Sequence, residues 1–450
     1  MKDYIWHPCT QMKDHETFPP IVAERAKGIY IYDEAGKAYM DVISSWWCNL
    51  LGHGNPRINR AVERQLEKME HVIFAGFTHR PAEELCERLA AVLPAGLEKF
   101  YFVDNGSSAV EVAMKMSFQY HHQKGKPEKQ KFMALAGGYH GETLGALAAG
   151  GMDQYSQMFR PLLAEAVHVK GPDCYRCPYG NQRETCQAEC IEKAEKAFAE
   201  HGRQATAFLL EPVLQGAAGM RIYSPIYLKK IRKLCDRYEV NLIADEIAAG
   251  FGRTGKMFAC EHAGITPDFM CLSKGLTGGY LPMAITVTTK RIYDAFYADY
   301  SDGKAFLHST TYGGHPMACA AGVEVLKLFE EEQILERMES DYLNRALRQA
   351  LEGHPNIGEI RSIGLINAIE LVEEGETGRP FAPEQRIGWK IAREAISRGL
   401  LLRPIGNIPY FNPPLTMTRE EIDRAVEICK LSIETVQHKE KTGNYKRKNQ

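Results

Sequence analysis

The chain contains no apolar run of about 18 residues, the length that a membrane-crossing helix requires, so no spanning segment is expected. It also lacks a surplus of charge of either sign: 55 Lys and Arg stand against 57 Asp and Glu, a net of −2. Composition therefore supplies no global electrostatic ground for binding nucleic acid or a membrane surface. The opening residues, MKDYIWHPCTQMKDHE, lack the apolar centre of a secretory signal, and a cytoplasmic location is the expectation. There is no internal repeat. Cysteine is plentiful at twelve, but a disulfide framework is missing, because Cys235, Cys260, Cys271 and Cys319 lie inside apolar runs as reduced thiols do.

What is present is an ordinary globular composition, 44% hydrophobic and 25% charged over 450 residues, enough for a large core or two domains. The most informative stretch is PDFMCLSKGLTGG. Residues 269–272 form a short apolar run that reads as a buried strand, ending at Lys274 before a Gly-rich turn. Upstream, NLIADEI reads as a second strand, ending at Asp245. In a parallel α/β sheet, ligands bind beyond the carboxyl ends of the strands. A lysine and a carboxylate in that position are the pair that pyridoxal phosphate chemistry asks for. The amine holds the aldehyde as a Schiff base, and the acid keeps the pyridine nitrogen protonated. Alone, Lys274 would read as a solvated loop lysine.

Other segments add to the pair. Residues 28–41 alternate around a turn at 34–36, a hairpin signal. The adjacent tryptophans of SSWWC, Trp46 and Trp47, would point to opposite sides of an extended chain, which allows one in a core and one in a pocket wall, with both as packing residues the default. Residues 55–72 and 81–93 have helical periodicity. A strand over 100–104 runs into an amphipathic helix through Asn105, Gly106, Ser107 and Ser108. Free N–H groups, hydroxyls and the helix dipole there suit a dianion, although the same residues also make a plain N-cap. A strand over 131–135 leads to Tyr139 and His140, the tyrosine being either a stacking partner for a flat ligand or a turn aromatic. Residues 205–211 are a strand ending at Glu211, and 227–237 are helical. The turn GFGRTG does not follow the dinucleotide fingerprint. His308, Ser309, Thr310 and Thr311 precede a long helix over 317–331, a second cluster of hydroxyls at a helix start.

Between 171 and 190 lie Cys174, Cys177, Cys186 and Cys190. Four thiols in one segment admit a zinc or iron–sulfur site, but the spacing is not a zinc ribbon's and no histidine joins. A reduced-thiol surface insertion is the favoured reading, with no metal. Beyond 341 a helix over 341–352, one strand over 358–371 and a helix over 384–398 are expected, and Arg403 follows an apolar strand as a candidate for bidentate carboxylate binding. Alternating strands and helices over 75–320 predict an α/β fold with a mostly parallel sheet. The expected divisions are an arm with part of a smaller domain over 1–74, a large domain over 75–335, a smaller α+β domain over 336–437 and a solvated tail over 438–450.

In order and spacing these residues resemble the class III (ω-type) aminotransferases of fold type I over essentially the whole chain. The motifs are Gly106-Ser107, Tyr139-His140-Gly141, Glu211-Pro212, Asp245-Glu246, the GFGRTG turn, Ser273-Lys274-Gly275, Thr311 and Arg403. IWHP, SSWW, HVIFAGFTH, AVEVAMKM and FACEH are similar to the branch that serves biotin biosynthesis. The resemblance implies pyridoxal 5'-phosphate, with Lys274, Asp245 and Tyr139 catalytic. Gly106, Ser107, His140 and Glu211 surround the cofactor, and Thr310 and Thr311 reach its phosphate from a partner subunit of a homodimer. Trp46, Ser309, Cys9 and Arg403 fall on the substrate side. The implied reaction passes nitrogen from S-adenosylmethionine, or lysine, to 8-amino-7-oxononanoate, giving 7,8-diaminononanoate. Cys9 replaces the aromatic residue usual in that branch, and the loop HSTTYGGHP is closer to ω-amino acid or amine:pyruvate aminotransferases, which is the alternative activity.

Overall fold

The computed structural model describes residues 4–375 and 377–442. Its centre is a seven-stranded sheet in the spatial order Leu97–Val103, Ala284–Thr289, Phe269–Leu272, Asn241–Asp245, Ala205–Leu210, Lys131–Leu135, Ala166–Val169. All neighbouring pairs from Phe269–Leu272 to Ala166–Val169 are parallel. Ala284–Thr289 runs antiparallel to both its neighbours. The mostly parallel sheet expected from the alternation is therefore present. The inner strands ATAFLL, NLIAD and FMCL are buried at every position, which is why they read as unbroken apolar runs rather than alternating ones.

Three of these strands lie side by side and place their carboxyl ends in one layer. Ala244 pairs with Leu210, and Asp245 pairs with Cys271. Glu211, Asp245 and Lys274, at or just beyond those ends, are thereby carried to one edge of the sheet. Helix Gly106–Gln123 follows the outer strand Leu97–Val103 and begins on the same side, with Asn105 as its N-cap.

A second sheet joins residues from both chain ends. Ala38–Asp41 pairs antiparallel with Tyr30–Asp33 and parallel with Leu400–Leu401. The hairpin expected over 28–41 is thus observed, with Ala23–Lys27 added to it. Other expectations need correction. The helix expected over 55–72 spans only Pro56–Leu66, since the chain after it takes no regular form. The strand expected over 358–371 is a hairpin of Ile357–Ile363 and Ile366–Glu374. Gly364 makes its turn with φ +54°, and a Cβ there would lie 2.4 Å from the Arg253 carbonyl oxygen. The tail is not solvated coil from 438: the last helix, Arg419–Lys441, carries it four residues further. Residues 443–450, where the rest of that tail falls, lie outside the described residues.

The paired tryptophans also differ from expectation. Residues 44–47 are not extended but form a left-handed turn, with φ of 50°, 43°, 73° and 71°. No glycine relieves it, so outside contacts must hold it. Ser45 donates to Asp41 Oδ2 at 2.6 Å, and His53 Nε2 donates to the same oxygen at 3.0 Å. Burial works against the Asp41 charge, but these two donors outweigh it and its pKa falls below the ordinary carboxylate value. From the other side Arg253, the largest fully buried side chain, donates to the carbonyls of Trp47, Asn49, Asn412 and Pro413.

Candidate active site

Lys274 opens a short 3-10 turn directly after its strand, and its own φ is 46°. That left-handed kink turns the side chain back over the sheet edge. Its Nζ stands 4.6 Å from the centre of the Trp47 ring and has no hydrogen-bond acceptor among the described residues. Burial pushes its pKa down, opposed by the carboxylates of Asp245 and Glu211. The amine is therefore easier to deprotonate than a surface lysine.

Asp245 is 5% exposed. Its Oδ1 accepts from the Ile247 N–H at 3.0 Å, and its Oδ2 accepts from His140 Nδ1 at 2.8 Å. Burial disfavours a charged His140, but the Asp245 carboxylate overrides this and raises the imidazole's pKa. The ring's other nitrogen, Nε2, is buried without a partner among the described residues. Glu211 accepts from the Tyr139 and Gly216 N–H groups at 3.1 and 2.9 Å. Burial pushes its pKa up to about 7, with His140 pulling it down and Asp245 pushing it further up.

The chain around Gly141 is packed for contact. A Cβ on Gly141, at φ +114°, would stand 2.2 Å from the Ser107 Cβ, and one on Gly106 would stand 2.9 Å from Ile247 Cδ1. The Asn105 side chain accepts from the Ser108 N–H at 3.0 Å and from Ser107 Oγ at 2.9 Å. Asn105 thus caps the helix, and Gly141 packs closely against its first turn at Ser107. Tyr139 donates to Glu142 at 3.1 Å and packs its ring 5.5 Å from that of Tyr155.

On the outer side, Arg403 stacks its guanidinium 4.7 Å over the Trp46 ring and donates to the Cys9 carbonyl at 3.2 Å. Cys9 also lies within electrostatic reach of Tyr139 and Tyr155. The structure thus brings together Lys274, Asp245, His140, Glu211 and Tyr139 on one side, and Trp46, Arg403 and Cys9 on the other. Thr310 and Ser309 are not joined to them: Thr310 donates to Asp104 of its own chain at 2.9 Å, and Ser309 and Thr311 are exposed. Cys174 and Cys177 line a separate cavity, and among the described residues no group of three or more Cys, His, Asp or Glu is arranged to hold a metal.

Sequence reading missed three members of this site. Trp47, not Trp46, faces Lys274 and donates its indole N–H to Tyr410 at 2.8 Å. Tyr410 and Tyr155 were not singled out. Tyr155 sits in a four-residue helix, Asp153–Ser156, too short to carry a periodic signal.

These residues fit pyridoxal phosphate. Among the described residues a buried imidazole nitrogen and a desolvated amine both lack a hydrogen-bond partner, and a helix start faces a glycine that tolerates no side chain. The fold is that of a fold type I pyridoxal-phosphate-dependent transferase. The family model for class III aminotransferases matches residues 10–433. The chain is 43% identical over 437 residues to the adenosylmethionine-8-amino-7-oxononanoate aminotransferase of Geobacter sulfurreducens, covering 96% of each. The solved structure of the enzyme of that name from Methanocaldococcus jannaschii superposes with a TM-score of 0.91 at 35% identity, covering 96% of this chain and 97% of that one. An ω-transaminase from Pseudomonas jessenii in complex with PMP also gives 0.91, at 33% identity over 97% of each chain. The protein belongs to the class III aminotransferases, whose cofactor is pyridoxal phosphate.

Proposed function

We propose that the protein is the transaminase of biotin biosynthesis, passing an amino group from S-adenosylmethionine or lysine to 8-amino-7-oxononanoate. The observation that carries this reading is the left-handed turn over 44–47. It sets one indole against the Lys274 amine and the next against the Arg403 guanidinium. A substrate with a reacting carbonyl at one end and a carboxylate at the other matches that spacing of groups. The names of relatives up to 43% identical agree with it.

Pyridoxal phosphate supplies an aldehyde that carries nitrogen and a ring that takes up electron density. Asp245 would hold the ring nitrogen and keep a proton on it, with His140 fixing the carboxylate's direction. Lys274 would bind the aldehyde and, once free, move a proton at the substrate's reacting carbon, a task its desolvated amine suits. Tyr139 would cover the ring face. Gly106 and Ser107 would hold the phosphate at the helix start. Glu211 ties the Tyr139 loop to Gly216, accepting one backbone N–H from each. Arg403 would bind the substrate carboxylate beside Trp46 and Cys9.

We read the assembly as a homodimer in which Thr310 and Thr311 serve the partner's phosphate site, and the location as cytoplasmic; among the described residues no helix is long and apolar enough to cross a membrane. We also retain the division into a large domain over 75–335 and a smaller one over 336–437 joined by the N-terminal arm. The alternative, an ω-amino acid or amine:pyruvate aminotransferase, is favoured by the equal structural likeness to the Pseudomonas jessenii ω-transaminase. Growth without biotin of a host lacking its own enzyme tests the choice. Rescue supports the biotin reading, and failure of active protein to rescue favours the alternative.

A further inference from the structure

The cysteine-rich segment finds no use in the reaction. From Gly171 to Ala188 the chain forms neither helix nor strand, a long irregular stretch for a compact protein. It walls one side of a cavity of about 460 Å³, whose other side is the hairpin Ile357–Ile363 with Ile366–Glu374. None of Lys274, Asp245, Tyr139 and Arg403 lines this cavity. Its volume lies within the range of small-molecule sites.

The lining is rich in arginine. Five arginines and four carboxylates face the space. Arg361 is fully used, by Glu359 and Glu370 at 3.0 and 2.8 Å and by the carbonyls of Gly219 and Met220. Arg176 shares Glu370, and Arg183 pairs with Glu184 at 2.6 Å. Two cations remain. Arg221 makes no side-chain hydrogen bond or ion pair among the described residues. Arg348 donates from Nε to Asn344 and from Nη2 to the Ile360 carbonyl, which leaves Nη1 without a protein acceptor among them. Guanidinium groups are weakly hydrated, and their planar donor pairs match carboxylate and phosphate oxygens.

We propose that the cavity between the cysteine-rich segment and this hairpin binds a small anion bearing a carboxylate or phosphate group, held by Arg221 and Arg348. Arg221 also links the cavity to the catalytic loop: a Cβ on Gly137, two residues before Tyr139, would stand 3.7 Å from Arg221 Nη1. An occupant that draws Arg221 inward acts on the approach to Tyr139. The proposal stands apart from the identity of the transamination substrates.

Calorimetric titration of cofactor-loaded enzyme with inorganic phosphate and, separately, succinate, at constant ionic strength, tests it. The expected result is saturable binding of at least one probe. Phosphate alone assigns a phosphate ligand, and succinate alone a carboxylate one. Binding persists in Arg403→Ala, which removes the active-site carboxylate contact, and in that background Arg221→Gln and Arg348→Gln each weaken it at least fivefold. Both arginines are exposed, and thermal unfolding without probe checks that each variant folds as the parent does. Absence of saturable binding, affinities unmoved by both substitutions, or loss of binding in Arg403→Ala overturns the proposal.

Discussion

His140 and Asp245 are joined at 2.8 Å by a hydrogen bond buried almost completely from water. A carboxyl group buried this deeply requires a hydrogen-bonded partner, and His140 is that partner for Asp245. Asp245→Asn should lower turnover by about 10²-fold or more, the scale of a lost acid–base group. His140→Gln keeps a donor but not a charge, and should lower turnover less. Steady-state kinetics on both, with cofactor content measured by absorbance, separates turnover from loss of cofactor.

Gly141 faces Ser107 at a distance that leaves no room for a side chain. Gly141→Ala adds both a clash and a left-handed strain of about 1–3 kcal/mol. The variant should fold and release its cofactor at least tenfold more readily, read as residual absorbance after dialysis. Tight retention would show that the helix start at Gly106 and Ser107 does not hold the phosphate.

Arg253 ties the Trp47 turn to residues 412 and 413 through four carbonyls. Lysine cannot fork to all four. Arg253→Lys should lower unfolding stability by about 2 kcal/mol, since buried acceptors lose charged donors. Urea denaturation measures this, and KM for the carboxylate-bearing substrate should rise as the turn beneath Arg403 loosens.

His121 gives a pH dependence remote from catalysis. Burial, with Lys129 next in effect and Lys126 and Arg291 adding to it, pushes its pKa from 6.5 down to about 4, while the Thr206 carbonyl opposes the shift. The unfolded chain therefore binds the proton more tightly. The stability this group contributes is complete above pH about 6.5 and is lost as pH falls toward 4. Denaturation between pH 7 and pH 5 should show a smaller loss for His121→Gln than for the parent.

The strand ends were legible because local signals mark them. Apolar runs that stop at Glu211, Asp245 and Lys274 identify buried parallel strands, and parallel packing then brings those ends together. Helix Gly106–Gln123 announced itself by its cap and period. The turn over 44–47 did not, because its cause is remote: His53, Arg253 and residues 412 and 413 impose a backbone that the local residues do not favour. The pairing of Trp47 with Lys274 was hidden with it. The hairpin around Gly364 was readable in principle, since a glycine inside a strand pattern marks a bend. The role proposed for Thr310 and Thr311 at a partner's phosphate site was legible only through resemblance, and the intrachain bond from Thr310 to Asp104 does not require it.

The most direct measurement is a single-turnover reaction of the aminated enzyme with 8-amino-7-oxononanoate, read by mass spectrometry and by the cofactor's visible absorbance. The account predicts 7,8-diaminononanoate in amounts matching the enzyme, together with return of the unaminated cofactor's spectrum. An aminated enzyme that leaves 8-amino-7-oxononanoate untouched, yet is discharged by pyruvate with formation of alanine, would contradict it.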